Sequence, residues 1–233
     1  MGVFRFKRFS VVQDNSALKV GTDAVMLGAL MSVRPSDRRL LDVGTGTGVI
    51  ALMAAQRLSS CAAPGGEDFG IVGIDIDAAS AEEAALNFAA SPWSENLSSL
   101  HCGLRDFCVS PGSLDLIFSN PPYYDSSLEN PDLRLASARH TGTLSYRDIF
   151  EFATSALSPD GRVALILPFE EKTRLLRTAA SFGFRPFRLV HLRTSLRKPP
   201  RRLVAEFSRS GVPVVEDYLI GPDTAPFTSE FYL

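Results

Sequence analysis

The run Leu41-Asp-Val-Gly-Thr-Gly-Thr-Gly48 constrains this chain more than any other stretch. Leu40 to Val43 is a compact apolar run, as a buried parallel strand requires. Alternating glycines then turn it into an apolar, alanine-containing helix spanning Val49 to Leu58. Glycine adopts left-handed backbone and admits a ligand closely, while a helix start leaves N–H groups facing outward. Such a strand–turn–helix unit belongs to an α/β chain with a parallel sheet. A dinucleotide fingerprint needs G-x-G-x-x-G, but here the third glycine comes one residue early and Val49 holds its position. No Gly-Lys-Ser/Thr ending follows, so P-loop chemistry is excluded.

The neighbouring acids narrow the ligand. Asp42 would repel a pyrophosphate and welcome a cation. Asp75, which ends the next strand Ile71-Val-Gly-Ile-Asp75, is placed to grip ribose hydroxyls. Together they call for a nucleoside-like molecule carrying a positive group and no phosphate. S-adenosylmethionine fits.

A second stretch, Leu114-Asp-Leu-Ile-Phe-Ser-Asn-Pro-Pro-Tyr123, reads as another buried strand stopped by two prolines. It holds Asn120 at the carboxyl end of a central strand, where open α/β sheets bind ligands. The Asn120 amide oxygen and the Pro121 carbonyl can each accept a hydrogen bond from an amino group. Tyr123 or Tyr124 can stack on a flat ring. This set suits a planar, conjugated amine.

The rest of the chain supplies more alternating elements. Phe4 to Leu18 mixes basic and apolar residues as a short strand or ribbon, and Thr22 is a candidate cap for a helix that ends near Pro35. Ala78 to Ala90 is helical, Leu97 to Cys102 a weaker strand, and Asp125 to Gly142 a long loop without periodicity. Leu144 to Leu157 and Glu170 to Phe182 read as helices, and Gly161 to Leu167 as a buried strand. Phe184 to Leu192 and Leu203 to Phe207 flank the basic turn Arg197-Lys-Pro-Pro-Arg-Arg202. The expected fold is a Rossmann-like, doubly wound, mostly parallel seven-stranded sheet with an antiparallel hairpin at one edge. No linker or repeat divides the chain, so residues 1–233 are expected to form one domain, with 1–21 as an N-terminal extension.

Composition sets limits. Three cysteines (Cys61, Cys102 and Cys108) have no paired metal spacing, and an odd number argues against a disulfide framework. A cytoplasmic protein without a metal is expected. No apolar run reaches the roughly 18 residues of a membrane span, and Met1 to Arg8 lacks the apolar core of a secretory signal. Net charge is −2, but it is unevenly spread. Between Gly161 and Ser210, 12 Lys/Arg face 3 Asp/Glu, an excess of +9; elsewhere 12 face 23, or −11. A polyanionic partner for the later portion is one source of that asymmetry.

With both motifs in place, the chain resembles class I S-adenosylmethionine-dependent methyltransferases of the Asn-Pro-Pro-Tyr type. More narrowly, it resembles the bacterial tRNA-Val (adenine-37-N6)-methyltransferases. Besides the glycine turn and Asn120-Pro-Pro-Tyr123, the resemblance rests on Lys19-Val-Gly-Thr-Asp23, Leu27-Gly28, Asn87, Ser91-Pro92-Trp93, Ala138-Arg-His140 and Phe227-Thr-Ser-Glu-Phe-Tyr-Leu233. The first and last of these segments carry the narrower assignment. It implies that Asp42, Gly44, Gly46 and Gly48 line the methionine and ribose portion of the cofactor, with Asp75 on the ribose. Thr22 and Asp23 close the methionine end, while Asn120, Pro121 and Tyr123 hold the adenine. Where the family often has an acid for the cofactor's adenine amine, this chain has Leu104-Arg105 before Asp106. Either Asp106 reaches that role through a shifted turn or a backbone carbonyl takes it.

The expected partner is the tRNA anticodon loop, met by a monomer. Arg197, Lys198, Arg201 and Arg202 are expected to contact phosphates without reading bases, and Arg5, Lys7 and Arg8 are candidates for the same surface. The alternatives are a protein glutamine methyltransferase, a methyltransferase acting on DNA adenine, and a non-catalytic RNA-binding module. Before Thr22 there is too little chain for the helical substrate domain of the first.

Overall fold

The structure, a computed structural model, describes residues 2–16, 18–61, 68–122 and 144–232. Tyr123, Tyr124, His140 and the stretch Asp125 to Gly142 lie outside them. An antiparallel ribbon, β1 (Val3–Arg5) and β2 (Ser10–Val12), comes first and is followed by α1 (Thr22–Leu30). Alternating elements then follow: β3 (Arg39–Val43), α2 (Val49–Cys61), β4 (Gly70–Asp75), α3 (Ala78–Ala89), β5 (Leu97–His101) and β6 (Leu114–Ser119). The second half runs α4 (Tyr146–Ala156), β7 (Leu157–Pro168), α5 (Lys172–Ser181), β8 (Arg185–Arg193), β9 (Arg202–Ser208), β10 (Val214–Leu219) and α6 (Ala225–Thr228).

Eight strands form one sheet in the order β10-β8-β9-β7-β6-β3-β4-β5. Only β9 runs against its neighbours. Side-chain alternation along the strands divides the core in two. Leu116 and Phe118 of β6 and Ala164 and Ile166 of β7 face α1, α2 and α3. Ile117, Val163 and Leu165 face α4 and α5, where Phe150 and Leu175 are fully buried.

The seven expected strands are present, and β10 is added outside them, parallel to β8. The β8–β9 hairpin therefore lies one strand in from the edge. β10 reads Val-Val-Glu-Asp-Tyr-Leu, which has no apolar alternation to announce a strand. Its anchor is electrostatic: Arg188 on β8 bonds both oxygens of Glu216, at 2.9 Å each. At α1, the N-cap is Gly21 rather than Thr22, and no side chain caps the helix. Among the described residues, no helix is long and apolar enough to cross a membrane.

The end of the sheet away from the glycine turn is fixed by buried charge. Arg162 on β7 and Asp37 are 1% and 2% exposed and meet twice, Nη1–Oδ1 at 3.0 Å and Nη2–Oδ2 at 2.7 Å. Beside them, the buried Glu206 accepts bonds from the Ser32 amide and hydroxyl and from Arg188. Removing one member of a buried pair strands the other's charge, at a cost of about 3–5 kcal/mol, whereas an apolar replacement of both is often near neutral. Asp37→Ala should therefore lower the urea-unfolding free energy by about that amount, and Asp37→Leu combined with Arg162→Met should recover most of it.

Candidate active site

The chain winds outward from β3 through β4 to β5, then crosses back to β6 on the other side of β3. The divergence opens a cleft at the carboxyl ends of the strands, the usual ligand position in an open α/β sheet. The glycine turn forms its floor. Gly44 and Thr45 both donate to the Ile74 carbonyl, at 2.9 and 3.0 Å, so the turn is fastened to β4. Gly44, Gly46 and Gly48 have φ of 71°, 54° and 80°, values that side-chain-bearing residues rarely adopt. Gly44 and Gly46 line the cleft, and a Cβ on Gly46 would meet nothing within 4 Å. Gly48 faces elsewhere: a Cβ there would stand 2.4 Å from the Phe88 ring on α3. The first two glycines leave space for a ligand, and the third lets a helix pack.

Asp42 lies beneath the turn, fully buried. Thr45 Oγ1 donates to its Oδ2 at 2.8 Å, and its Oδ1 has no partner among the described residues. Burial pushes its carboxyl up to about 7, Asp75 adds to the rise, and the Thr45 bond opposes it. Asp75 itself receives the Gly46 and Asp77 amides, each at 2.9 Å, on separate oxygens. Its carboxylate is thereby held at the rim between β4 and the turn.

The cleft encloses about 460 Å³. Val43, Ile74, Ile76 and Leu104 give it apolar walls, and Asp75, Asp106 and Asn120 bring polar groups to them. The turn Gly103–Asp106, closed by the Asp106 amide on the Gly103 carbonyl at 3.0 Å, brings Asp106 to the wall. At the mouth, Arg105 and Asp148 pair at 2.9 Å. Asp148 also completes a capping box with Ser145 at the start of α4. Burial raises its carboxyl, but the Ser145 hydroxyl and Arg105 outweigh it and leave the net shift downward. Pro121 is buried, and Asn120 and Pro122 line the same cleft as Asp75. Among the described residues, no group of three or more His, Cys, Asp or Glu could hold a metal ion.

Two expected cofactor residues are placed apart from this cleft. Thr22 lines a second cavity, and Asp23 bonds Arg202 Nε at 2.7 Å, tying α1 to β9. Arg202, expected on RNA phosphate, is thus engaged with a carboxylate. Arg197, Lys198 and Arg201 are exposed on the β8–β9 turn. That turn is braced by Arg193 Nη1 on the Lys198 carbonyl at 2.9 Å and by the Arg201 amide on the Leu192 carbonyl at 2.8 Å.

Sequence reasoning passed over Glu83, which is 1% exposed on α3. Its carboxylate receives the amides of Asp14, Asn15 and Ser16 at 2.7–2.9 Å. Burial alone would raise its pKa, but those amides outweigh burial and hold it below the ordinary value. One turn on, Asn87 bonds the Val12 amide, the Val12 carbonyl and the Thr47 carbonyl. Together they moor the N-terminal ribbon to the glycine turn. A signal was present in the sequence: Glu83 and Asn87 are four apart on one helix face, within an alanine-rich apolar stripe.

Comparison with known proteins places the chain. A family model of the methyltransferase small domain matches residues 15–180. A tRNA1(Val) (adenine(37)-N6)-methyltransferase of Flavobacterium johnsoniae is 36% identical, over 99% of each chain. One from Parabacteroides distasonis is 40% identical over 90% of this chain and 84% of its own. Among solved structures, a predicted O-methyltransferase from Agrobacterium tumefaciens superposes with a TM-score of 0.61 at 16% identity, covering 85% of this chain and 87% of its own. TYW2 of P. horikoshii, solved in complex with MeSAdo, gives 0.59 at 13%, covering 89% and 71%. Those structures share the fold of the strands and helices around the cleft; the sequence relatives extend over the termini as well, and this chain belongs to the tRNA1(Val) (adenine(37)-N6)-methyltransferase family.

Proposed function

We propose that this protein transfers the methyl group of S-adenosylmethionine to the N6 amine of adenine 37 in the anticodon loop of tRNA-Val. The observation that carries the reading is the placing of Asn120 and Asp75 on one cleft, at the carboxyl ends of β6 and β4, the two strands that flank β3. The lining fits the cofactor. Asp75 and Asp106 provide acceptors for hydroxyls and an amine, and beneath the turn the buried Asp42, its Oδ1 without a partner among the described residues, becomes a carboxylate above about pH 7. Such acids oppose phosphate and suit a cationic nucleoside. When bound, the cofactor supplies an electrophilic methyl on a sulfonium.

The chain's own contribution is positioning and hydrogen bonding. An adenine N6 amine is a poor nucleophile because its lone pair is conjugated into the ring. Asn120 Oδ1 and the Pro121 carbonyl accept its two N–H bonds and draw the nitrogen toward a tetrahedral state, and the N6 proton that the methyl group replaces is lost to solvent. A neutral Asn there adds no negative charge beside a cation whose charge must vanish during transfer. The apolar walls exclude water, and most of the remaining acceleration comes from holding the two reactants in line. We place Asp75 on the ribose, Asp106 at the adenine end, Gly44 and Gly46 against the methionine and ribose portion, and Tyr123 on the target base. Residues 1–233 act as one domain and as a monomer, and the reduced thiols and the tRNA substrate suit the cytoplasm.

Incubation with tritiated cofactor and total tRNA, followed by nucleoside mapping, tests the assignment. N6-methyladenosine at position 37 of tRNA-Val is expected, and label on a protein glutamine instead would overturn it. Asn120→Ala should retain cofactor binding and lose about 10²–10³ in single-turnover rate, as when one preorganised hydrogen-bonding group is removed.

Asp42 gives a pH dependence. With its pKa raised to about 7, it is neutral below that pH and a carboxylate above it. A cationic ligand prefers the carboxylate, so binding should release a proton below pH 7. Affinity should then rise about tenfold between pH 6 and 8 and level off above. Calorimetry in buffers of different ionisation enthalpy reads the proton, and Asp42→Asn should abolish the rise.

The exposed Arg197, Lys198 and Arg201 are assigned to RNA phosphates. Arg197→Glu combined with Arg201→Glu should raise KM for tRNA and flatten its dependence on salt, by roughly 0.7–0.9 in log–log slope per lost contact. Cofactor affinity should not change, because the turn lies beyond β7, away from the cleft lining.

A further inference from the structure

We propose that the second cavity, of about 320 Å³, is a nucleobase site that takes one unstacked base of the RNA next to the methylated adenine. The proposal rests on the tRNA reading above and adds a second point of recognition to it.

The cavity lies where β1, α1 and the segment around α6 converge. Its size is at the lower end of small-ligand pockets, suited to a single ring system. Phe4 and Tyr232 supply aromatic walls, with ring centres 6.2 Å apart at 67°, and the buried Met26 supplies an apolar floor. Three threonines add polar points. Thr228 donates to the Thr224 carbonyl at 3.2 Å, which leaves its oxygen lone pairs as acceptors. Thr224 Oγ1 receives the Gly221 amide at 3.0 Å. The exposed Thr22 carries the third hydroxyl. Flat apolar faces with donors and acceptors along the edge are what an unstacked base presents, and single-stranded RNA is read by such stacking and edge bonding.

Position ties this cavity to the cleft. Leu18 lines the cleft and Thr22 lines the cavity, so the stretch 18–22 runs from one to the other. Four residues of chain span at most about 14 Å, within reach of neighbouring nucleotides on one strand. Charge agrees. Lys7 Nζ bonds the Ser229 carbonyl at 2.7 Å, and Lys19 Nζ bonds the carbonyls of Gln13 and Asp14. Both lysines are exposed; Lys19 adjoins the cavity-lining Val20 in the chain, and Lys7 is tied to Ser229, next to the cavity-lining Thr228. Arg202 and Arg193, by contrast, are held by Asp23 and Asp217.

A further observation concerns the sequence. Among the described residues, the segments on which the narrower resemblance rests, Lys19–Asp23 and the stretch from Phe227, hold none that lines the cleft, yet both wall this cavity. Choosing one adenine among many in RNA requires something beyond the cleft, because every adenine offers the cleft the same ring.

The test uses the full chain with Thr228→Phe, which fills the cavity, and Thr228→Val, which removes the hydroxyl at nearly constant size. Each is assayed with whole tRNA and with a short single-stranded RNA whose target adenosine is flanked by abasic sites; cofactor affinity is measured by calorimetry. Thr228→Phe should lower kcat/KM on tRNA about ten- to a hundredfold, chiefly through KM, as loss of one stacked base implies. Thr228→Val should lower it about two- to tenfold. Neither should alter the abasic-flanked RNA or cofactor affinity. Placing an abasic site beside adenine 37 in tRNA should cost the wild type the same factor and cost Thr228→Phe nothing more. Should Thr228→Phe misfold, Thr228→Val with the abasic tRNAs decides alone. Unchanged tRNA kinetics in a folded variant overturns the proposal, as does a loss confined to cofactor affinity. If the wild-type protein methylates no tRNA, the functional reading falls and the base site falls with it.

Discussion

Opposite winding on either side of β3 is the constraint from which the rest follows. Parallel strands need crossover helices, and helices that leave β3 in two directions cannot cover the carboxyl ends between them. The gap would expose backbone polar groups were it not closed by the glycine turn, whose amides reach across to Ile74 and Asp75. The turn thus does two things with one conformation. It satisfies the end of the sheet internally, and it leaves a floor on which an uncharged sugar and a cation can rest.

Charge is sorted around that floor. Among the described residues, the cleft gathers Asp75, Asp77, Asp106 and Asp148 against Arg105, while Arg197, Lys198 and Arg201 sit exposed on the β8–β9 turn. Part of the +9 excess between Gly161 and Ser210 is thus exposed on that turn, while Arg162, Arg188, Arg193 and Arg202 of the same stretch are paired with carboxylates. An acidic interior with a basic turn beyond it lets a polyanion approach from one side without its phosphates entering the cleft.

Much of this was legible because it depends on local chemistry. Alternating glycines after an apolar strand, and two prolines after another, can be recognised within ten residues. Asp75 and Asn120 follow from their places at strand ends. What escaped depends on partners distant in sequence. β10 is a strand because Arg188 binds Glu216, and six residues with two central acids do not disclose that. The pairing of Asp23 with Arg202, 179 residues away, has no local signal either. Gly48 looked like its two neighbours in the motif, and only the Phe88 ring distinguishes it. Glu83 was unreadable as an anchor because its three partners are main-chain amides, which have no sequence signature.

The pairing of the N-terminal ribbon with the residues around α6 has a consequence for how the protein comes into being. Lys7 takes the Phe231 carbonyl through its backbone amide at 2.8 Å and the Ser229 carbonyl, 222 residues away, through its side chain; Tyr232 stacks on Phe6. A chain made from its N-terminus can assemble β3, β4 and β5 with their helices as they emerge, since those contacts are close in sequence. The ribbon has to wait, docked at Glu83 and Asn87 but open on its other side, until residues 227–232 leave the ribosome. The glycine turn and Asp75 are thus in place early, Asn120 and Asp148 join them as β6 and α4 form, and the second cavity closes last.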